Sequence, residues 1–301
     1  MRERNLAGCA RSISQLFAWA LVGNLLAADL VWCLFRGLSV GGVWIVAGCI
    51  CILLALSVVY RQRSRCIADW TEGMALWIAF SAAGCVLTYL CATCAMPLQD
   101  DALAKIDSAA GFDWQLWRET LLGWPMLHSV LAVAYGSLFA QILLSVFYFP
   151  ARDLTERGRE LFLLAALTLL AAASISALYP VVGPWSGAPY MPELLALRAE
   201  GPWEFELLRM QGIIQMPSYH TILAILFTYA YRGTGTIGWG IAGLNAIMLP
   251  SIPPIGGHYL ADMIAGGAIA VLFILGSRWR SMRFQTAREL VRPSTQAVQR
   301  S

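Results

Sequence analysis

Residues 161–181 read LFLLAALTLLAAASISALYPV and contain no charged side chain. A helix needs about 20 apolar residues to cross the hydrocarbon core of a bilayer, which is the length of this run. Irregular backbone cannot face lipid, so such a run must be helical. The rest of the chain is similar, because 58% of its 301 residues are hydrophobic and 13% are charged, against about 25% charged in soluble domains. The sequence predicts an all-α, polytopic membrane bundle without a soluble second domain.

Apolar runs of this kind recur along the chain, and we predict about eight transmembrane helices. They lie at roughly 15–35, 40–60, 74–96, 126–149, 161–181, 219–231, 236–252 and 259–276. The sixth and seventh are short, and the seventh contains Pro250. The first run follows three arginines but has no clear small-residue cleavage site, so we interpret it as an uncleaved span rather than a signal peptide.

The basic residues indicate how these spans are oriented. With the N-terminus inside, 16 of the 21 lysines and arginines fall in inner segments, as the positive-inside rule requires. The basic residues on the outer side are then Arg36, Lys105, Arg118, Arg198 and Arg209. We therefore predict that both termini are cytoplasmic, in an integral protein of the bacterial inner membrane. The scattered arginines carry no nucleic-acid signature.

Two of the predicted outer segments are long. The first, 97–125, contains four aspartates (Asp100, Asp101, Asp107 and Asp113), and we interpret it as a solvated loop rather than a cation or headgroup site. The second, 182–217, is rich in proline and tryptophan, and tryptophans in such loops usually mark the headgroup zone.

Two of the three histidines open predicted spans. Segment 215–221, QMPSYHT, opens the sixth span with His220, and segment 256–262, GGHYLAD, opens the eighth with His258. Both helix starts lie on the outer side in the eight-span topology. A helical hairpin therefore brings the two histidines to the same depth, on the face that we predict to be external, or periplasmic.

The residue types in these segments suit phosphoryl transfer. Imidazole has a pKa of about 6.5, so it can act as an acid or a base near neutral pH. Asp262 lies one helical turn after His258, where a carboxylate can fix the histidine's tautomer and stabilise its cation. Helix N-termini bind phosphate through free N–H groups, and Gly257 lets the backbone approach an anion closely.

The two segments resemble motifs of the type 2 phosphatidic acid phosphatase superfamily, which read P-S-x-H and H-x-x-x-D. The form with Tyr259 after His258 and Gly266 after Asp262 is most similar to the inositol phosphorylceramide synthase (inositolphosphotransferase) branch. Motif resemblance covers about 215–266, with a weaker similarity of layout back to about residue 97. It implies a phosphatase/phosphotransferase-like membrane domain at 97–276, between N-terminal transmembrane helices at 1–96 and a basic cytoplasmic tail at 277–301.

The resemblance also implies roles for the site residues. His258 would be the nucleophile that forms a phosphohistidine, Asp262 would orient it, and His220 would be the acid for the leaving group and then the base for the acceptor. The implied partners are a lipid phosphate and either water or an alcohol, with no metal and no cofactor.

The chain departs from the superfamily in its phosphate clamp. The first motif, a lysine followed by Arg-Pro, is absent, because the single lysine is Lys105. Ser251-Ile252 stands where Ser-Arg is usual, and Trp185 stands where the synthase branch has an arginine. We predict that Arg209 and Arg198, with Ser218 and Gly257, bind the substrate phosphate instead. Arg118 and Lys105 are the next candidates.

Several alternatives remain open at this point. The histidines could be structural residues at helix ends, or two histidines and a carboxylate could bind a metal. The protein could be a strict headgroup transferase, or a non-catalytic lipid carrier or scramblase on the same scaffold. His128 we interpret as structural or as a headgroup contact. Asp29, an acid inside the first span, suggests function by default, unless it lies near enough to the interface to be hydrated.

Overall fold

The computed structural model describes the backbone of residues 2–291 and the side chains of residues 14–280 and Arg283. The tail beyond Val291 and the side chains of the first three arginines lie outside the described residues. Helices dominate, which confirms the all-α class. They are α1 (Arg2–Arg36), α2 (Val43–Tyr60), α3 (Arg65–Ala92), α4 (Asp100–Ala109), α5 (Trp114–Leu122), α6 (Pro125–Gly136), α7 (Leu138–Ala151), α8 (Thr155–Leu178), α9 (Met191–Arg198), α10 (Tyr219–Ala230), α11 (Thr236–Gly256) and α12 (Leu260–Val291).

Each predicted span corresponds to a helix or to a pair of helices. Within the described residues, five helices are long and apolar enough to cross a membrane alone. Those segments are Ser14–Arg36, Val43–Tyr60, Arg65–Ala92, Thr155–Leu178 and Leu260–Arg280. The pair α6 and α7 meets the same criteria only jointly, with a bend of 44° between the two helices. Since α10 has only 12 residues and α11 contains three prolines, the count of eight stays a prediction.

The outer surface of the helices is apolar, as expected for contact with lipid. Phe35 and Trp44 are each 84% exposed, and Phe139 is 76% exposed. The interior is packed by aromatic rings, because Phe162 meets Trp77 and Phe80 edge to face, each with ring centroids 5.4 Å apart. Large apolar side chains on the outside and a tight aromatic interior identify a membrane protein.

Two short strands, which the sequence does not predict, join two segments that are distant in the sequence and that we predict to lie on the outer side. The connection between α1 and α2 forms β1 (Leu38–Gly41), and the 182–217 loop forms β2 (Trp203–Glu206). They pair in parallel, with Leu38 opposite Trp203. Each strand has four residues, too few for a period-two pattern to stand out. Their pairing agrees with the prediction that both segments lie on the same side.

Contacts at the other end of the bundle show how α8, α10 and α12 are aligned. Glu160, near the start of α8, accepts a hydrogen bond from the Tyr229 hydroxyl at 3.0 Å and one from the Ser277 hydroxyl at 3.1 Å. Arg232 forms an ion pair with the same carboxylate at 3.4 Å. The last turn of α10 therefore meets α12 far from its start, so the two helices run in the same direction and both begin at the end that carries the histidines.

Candidate active site

The link between α11 and α12 positions His258 and Asp262. Gly257 ends α11 in the left-handed conformation, with φ 70°, which glycine adopts at no steric cost. The next turn places Nδ1 of His258 3.5 Å from Oδ2 of Asp262. The same oxygen accepts the backbone N–H of Tyr259 at 2.9 Å. His258 is 2% exposed and Asp262 is fully buried. The carboxylate thus fixes one edge of the imidazole and leaves Nε2 for chemistry.

Close packing of α10 on α12 brings His220 to the same place. The backbone N–H of Ser218 donates to the carbonyl of Asp262 at 3.0 Å. A Cβ on Gly266 would lie only 2.5 Å from the Ser218 carbonyl oxygen, so only glycine fits there. The two histidine rings lie with their centroids 6.5 Å apart and their planes at 58°. The structure therefore brings together His220, His258 and Asp262, the three residues predicted to be catalytic.

Ser218 and Gly257, predicted to bind phosphate, both border these residues. Ser218 is the N-cap of α10, and its hydroxyl oxygen accepts the backbone N–H of Thr221 at 3.4 Å. A side chain on Gly257 would meet the Tyr190 hydroxyl at 2.8 Å. Both residues therefore have a structural task beside the site, and their contact with phosphate stays a prediction.

Two aspartates of the 97–125 segment, interpreted from sequence as solvated, hold the site together instead. Asp107 is 4% exposed and accepts the backbone N–H groups of Leu260 at 2.7 Å and Ala261 at 2.9 Å. It therefore caps the first turn of α12, where N–H groups lack partners within the helix and the helix dipole favours an anion. The interpretation failed because the cap comes from a distant helix, whereas sequence patterns reveal only local caps.

Asp100 fixes the start of the 182–217 loop beside His258. Its carboxylate accepts the N–H groups of Val182 at 3.1 Å and Gly183 at 2.9 Å. Gly183 has a φ of 89°, and its backbone lies against the carbonyl of Gly257. The hydroxyl of Tyr190 donates to the carbonyl of Val182 at 3.3 Å, and burial raises the pKa of this phenol well above its ordinary value. The start of the loop is thus fixed beside the histidine.

The arginines predicted to bind phosphate make no contact with the histidines among the described residues. Arg198 donates from Nη2 to the carbonyl of Met96 at 2.8 Å. Arg209 ends a short 3-10 turn, Leu207–Arg209, and its side chain is exposed, as is that of Lys105 on α4. The role of each in binding phosphate stays a prediction.

Arg118 is the basic residue that reaches this end of α11. Its Nη1 donates to the carbonyl of Pro254 at 2.8 Å, where a cation also opposes the negative end of the helix dipole. Its guanidinium lies 4.0 Å from the centre of the Trp185 ring, and Trp185 borders Gly257. Trp114 assists by donating to the carbonyl of Pro253 at 2.7 Å. Helix α5 is thereby fastened to the last turn of α11.

Tyr135, which no motif singles out, stacks on His220. The rings are nearly parallel, at 10°, with centroids 4.2 Å apart. Tyr135 lies on α6, two turns after His128 on the same helix face. Periodicity alone could have placed the two residues on one face, but not against the site.

Several buried polar atoms around the histidines have no hydrogen-bond partner. They are Oδ1 of Asp262, Oγ1 of Thr221 and Oε1 of Gln215. Buried polar groups are normally satisfied, so a cluster of unsatisfied ones is typical of a site for a polar ligand. Within the described residues, no group of three or more His, Cys, Asp and Glu side chains is arranged to hold a metal ion.

One family model matches the chain. The model of the PAP2 superfamily matches residues 101–276. This range includes Asp107, Tyr135, His220 and His258. No curated protein and no solved structure matches the chain. Since the matched region is more than half of the sequence, the chain belongs to the PAP2 superfamily.

Proposed function

We propose that the protein is an integral membrane phosphatase or phosphotransferase that acts on a lipid-linked phosphate through a phosphohistidine. The observation that carries this proposal is the juxtaposition of His220 and His258, 6.5 Å apart between ring centroids, with Asp262 against Nδ1 of His258. Membership of a superfamily that generally holds phosphatases and phosphotransferases supports it.

In the first step, Nε2 of His258 attacks phosphorus and a P–N bond forms. The bond between phosphorus and the leaving oxygen breaks, and protonated His220 gives its proton to that oxygen. Asp262 stabilises the positive charge that develops on His258, as the third member of a catalytic triad does. The products of this step are a lipid alcohol, phosphorylated His258 and neutral His220.

In the second step, neutral His220 takes a proton from the acceptor while the acceptor oxygen attacks phosphorus. The P–N bond breaks, and His258 returns to its starting form. If water attacks, inorganic phosphate or a phosphorylated headgroup is released; if an alcohol attacks, the phosphoryl group is transferred. Both outcomes use the same residues, so the acceptor decides between phosphatase and phosphotransferase.

A headgroup transferase of the inositol phosphorylceramide synthase kind is the second candidate function. The 2% exposure of His258, beneath a loop fixed by Asp100, favours it, because a closed site protects an intermediate from water. Water is nevertheless the less demanding acceptor, so we expect hydrolysis to dominate.

Product partition tests this expectation. The purified protein is given radiolabelled phospholipids or polyprenyl phosphates together with polyols and lipid alcohols, and released phosphate or headgroup is measured against transferred product. We expect steady release that no acceptor changes. Transfer exceeding hydrolysis by about tenfold with any one acceptor, a difference of about 1.4 kcal/mol in barrier, would favour the transferase instead.

We also propose that the histidines face the periplasm of a bacterial inner membrane and that both termini are cytoplasmic. The excess of basic residues in the predicted inner segments supports this orientation. In a cysteine-free parent, Glu200→Cys should react with a membrane-impermeant thiol probe added from outside, whereas Thr155→Cys should react only after the membrane is opened. The reverse pattern of labelling would invert the topology.

A further inference from the structure

The side chain of Tyr135 lies near both histidines. Its ring covers His220 at 4.2 Å in a nearly parallel stack, which restricts rotation of the imidazole. Tyr135 belongs to α6, near the bend of 44° between α6 and α7. Helix α6 packs extensively against α11. The tyrosine is therefore placed by packing of two helices rather than by a mobile loop.

The hydroxyl of Tyr135 and the ring of His258 both lie close to Gly256. A Cβ built on Gly256 would lie 2.8 Å from this hydroxyl and 2.9 Å from Cδ2 of His258. Both atoms therefore border one small space, and Cδ2 is bonded to Nε2, the nitrogen that Asp262 leaves free. Gly256 keeps this space open, because any side chain there would fill it.

Within the described residues, the Tyr135 hydroxyl makes no hydrogen bond, so it is available to a ligand. A phosphoryl group in transfer needs hydrogen-bond donors for its oxygens. Its equatorial oxygens carry the negative charge of the transition state, and donors fixed in advance at that position are worth most. The lysine and arginine motifs that usually supply them are absent from this chain. Arg118, the cation that contacts this end of α11, already directs Nη1 to the carbonyl of Pro254.

We propose that Tyr135 is a catalytic residue: its hydroxyl donates a hydrogen bond to a non-bridging oxygen of the phosphoryl group during transfer, while its ring holds His220 in place. The proposal rests on the proposed function, because it assigns a donor to the same reaction. The ligand class it requires is a phosphate ester or the pentacoordinate phosphorus that vanadate mimics.

The test compares Tyr135→Phe, which keeps the ring and removes the hydroxyl, with Tyr135→Leu, which removes both. Tyr148→Phe is the matched control, since Tyr148 packs against Phe149 and Tyr231 away from the histidines. For Tyr135→Phe we expect kcat to fall by about 10²-fold, the loss typical of one such donor. KM and the thermal unfolding midpoint should be unchanged, and inhibition by vanadate should weaken in parallel with kcat. Tyr135→Leu should lose more, because His220 is released as well.

Each other outcome overturns the proposal. Wild-type kcat and vanadate inhibition in Tyr135→Phe would show that the hydroxyl does no chemistry, even if Tyr135→Leu were impaired. A loss of activity with a lowered unfolding midpoint, or one shared by Tyr148→Phe, would indicate a structural role. A wild-type protein without turnover on any lipid phosphate would refute the proposed function itself, whereas an active wild type with an indifferent Tyr135→Phe would refute only the role of the tyrosine.

Discussion

Replacement of His258 by alanine is expected to abolish turnover on every lipid phosphate that the wild type accepts. His258 is the histidine that Asp262 orients, with 3.5 Å between Nδ1 and the carboxylate oxygen. Without the imidazole no P–N bond can form, so the loss should be complete rather than partial. Turnover is measured as release of labelled phosphate or headgroup, and the phosphoenzyme as acid-labile label on the protein after a rapid quench.

His128→Ala is the matched control, because His128 is the third histidine of the chain, lies in the first turn of α6 and is not part of the triad. It should retain wild-type activity. His258→Gln, which is closer in size and polarity, should be as inactive as the alanine variant, since neither can carry a phosphoryl group. Wild-type turnover in either His258 variant would contradict the phosphohistidine mechanism, whereas a wild type that turns over no lipid phosphate would favour the lipid carrier or scramblase.

The same assay distinguishes the metal alternative. A phosphohistidine route has no ion at its core, so wild-type activity should survive excess chelator, and vanadate should inhibit by mimicking pentacoordinate phosphorus. Loss of activity in chelator that one divalent ion restores would instead favour a site of two histidines and a carboxylate.

The sequence allowed the grouping of the three candidate catalytic residues to be predicted, because each lies in a local pattern. Pro217 and Ser218 are typical of a helix start, so His220 could be assigned to the first turn of a helix. Gly257 is typical of a helix end, so His258 could be assigned to the start of the next one. Alternation of the spans then places those starts at one end of the bundle. The i, i+4 spacing of His258 and Asp262 needs no tertiary information.

The supporting residues could not be predicted in the same way, because their partners are distant in the sequence. Asp107 caps α12 across 153 positions, and Arg118 reaches Pro254 across 136. Tyr135 is one of ten tyrosines, and nothing local marks it as the one that stacks on a histidine. The packing of α6 on α11 brings Tyr135 to this end of the bundle. From sequence alone, an aspartate in an acidic loop or an isolated arginine is interpreted as exposed to solvent. The structure shows that Asp107 and Arg118 instead form hydrogen bonds with the backbone at helix ends.

Replacement of His220 by alanine is expected to slow turnover without preventing substrate binding. General acid–base assistance typically contributes about 10²–10⁴-fold, and His220 supplies it twice, to the leaving oxygen and to the acceptor. The loss should depend on the substrate. An activated aryl phosphate leaves without a proton, so the first step should be nearly normal with that ester, whereas attack by water still needs the base.

Phosphorylated His258 should therefore accumulate in His220→Ala supplied with the activated ester, and much less in the wild type or in His128→Ala. Rapid quench with labelled ester, followed by digestion and mapping of the acid-labile label, would locate the phosphoryl group. The variant should also keep wild-type affinity for vanadate to within a few-fold, since it removes a proton carrier rather than the nucleophile. Equal losses on activated and ordinary esters, with no accumulated phosphoenzyme, would mean that His220 serves only to position neighbouring groups. In that case the 6.5 Å between the two ring centroids would reflect packing, and another group would have to provide the proton.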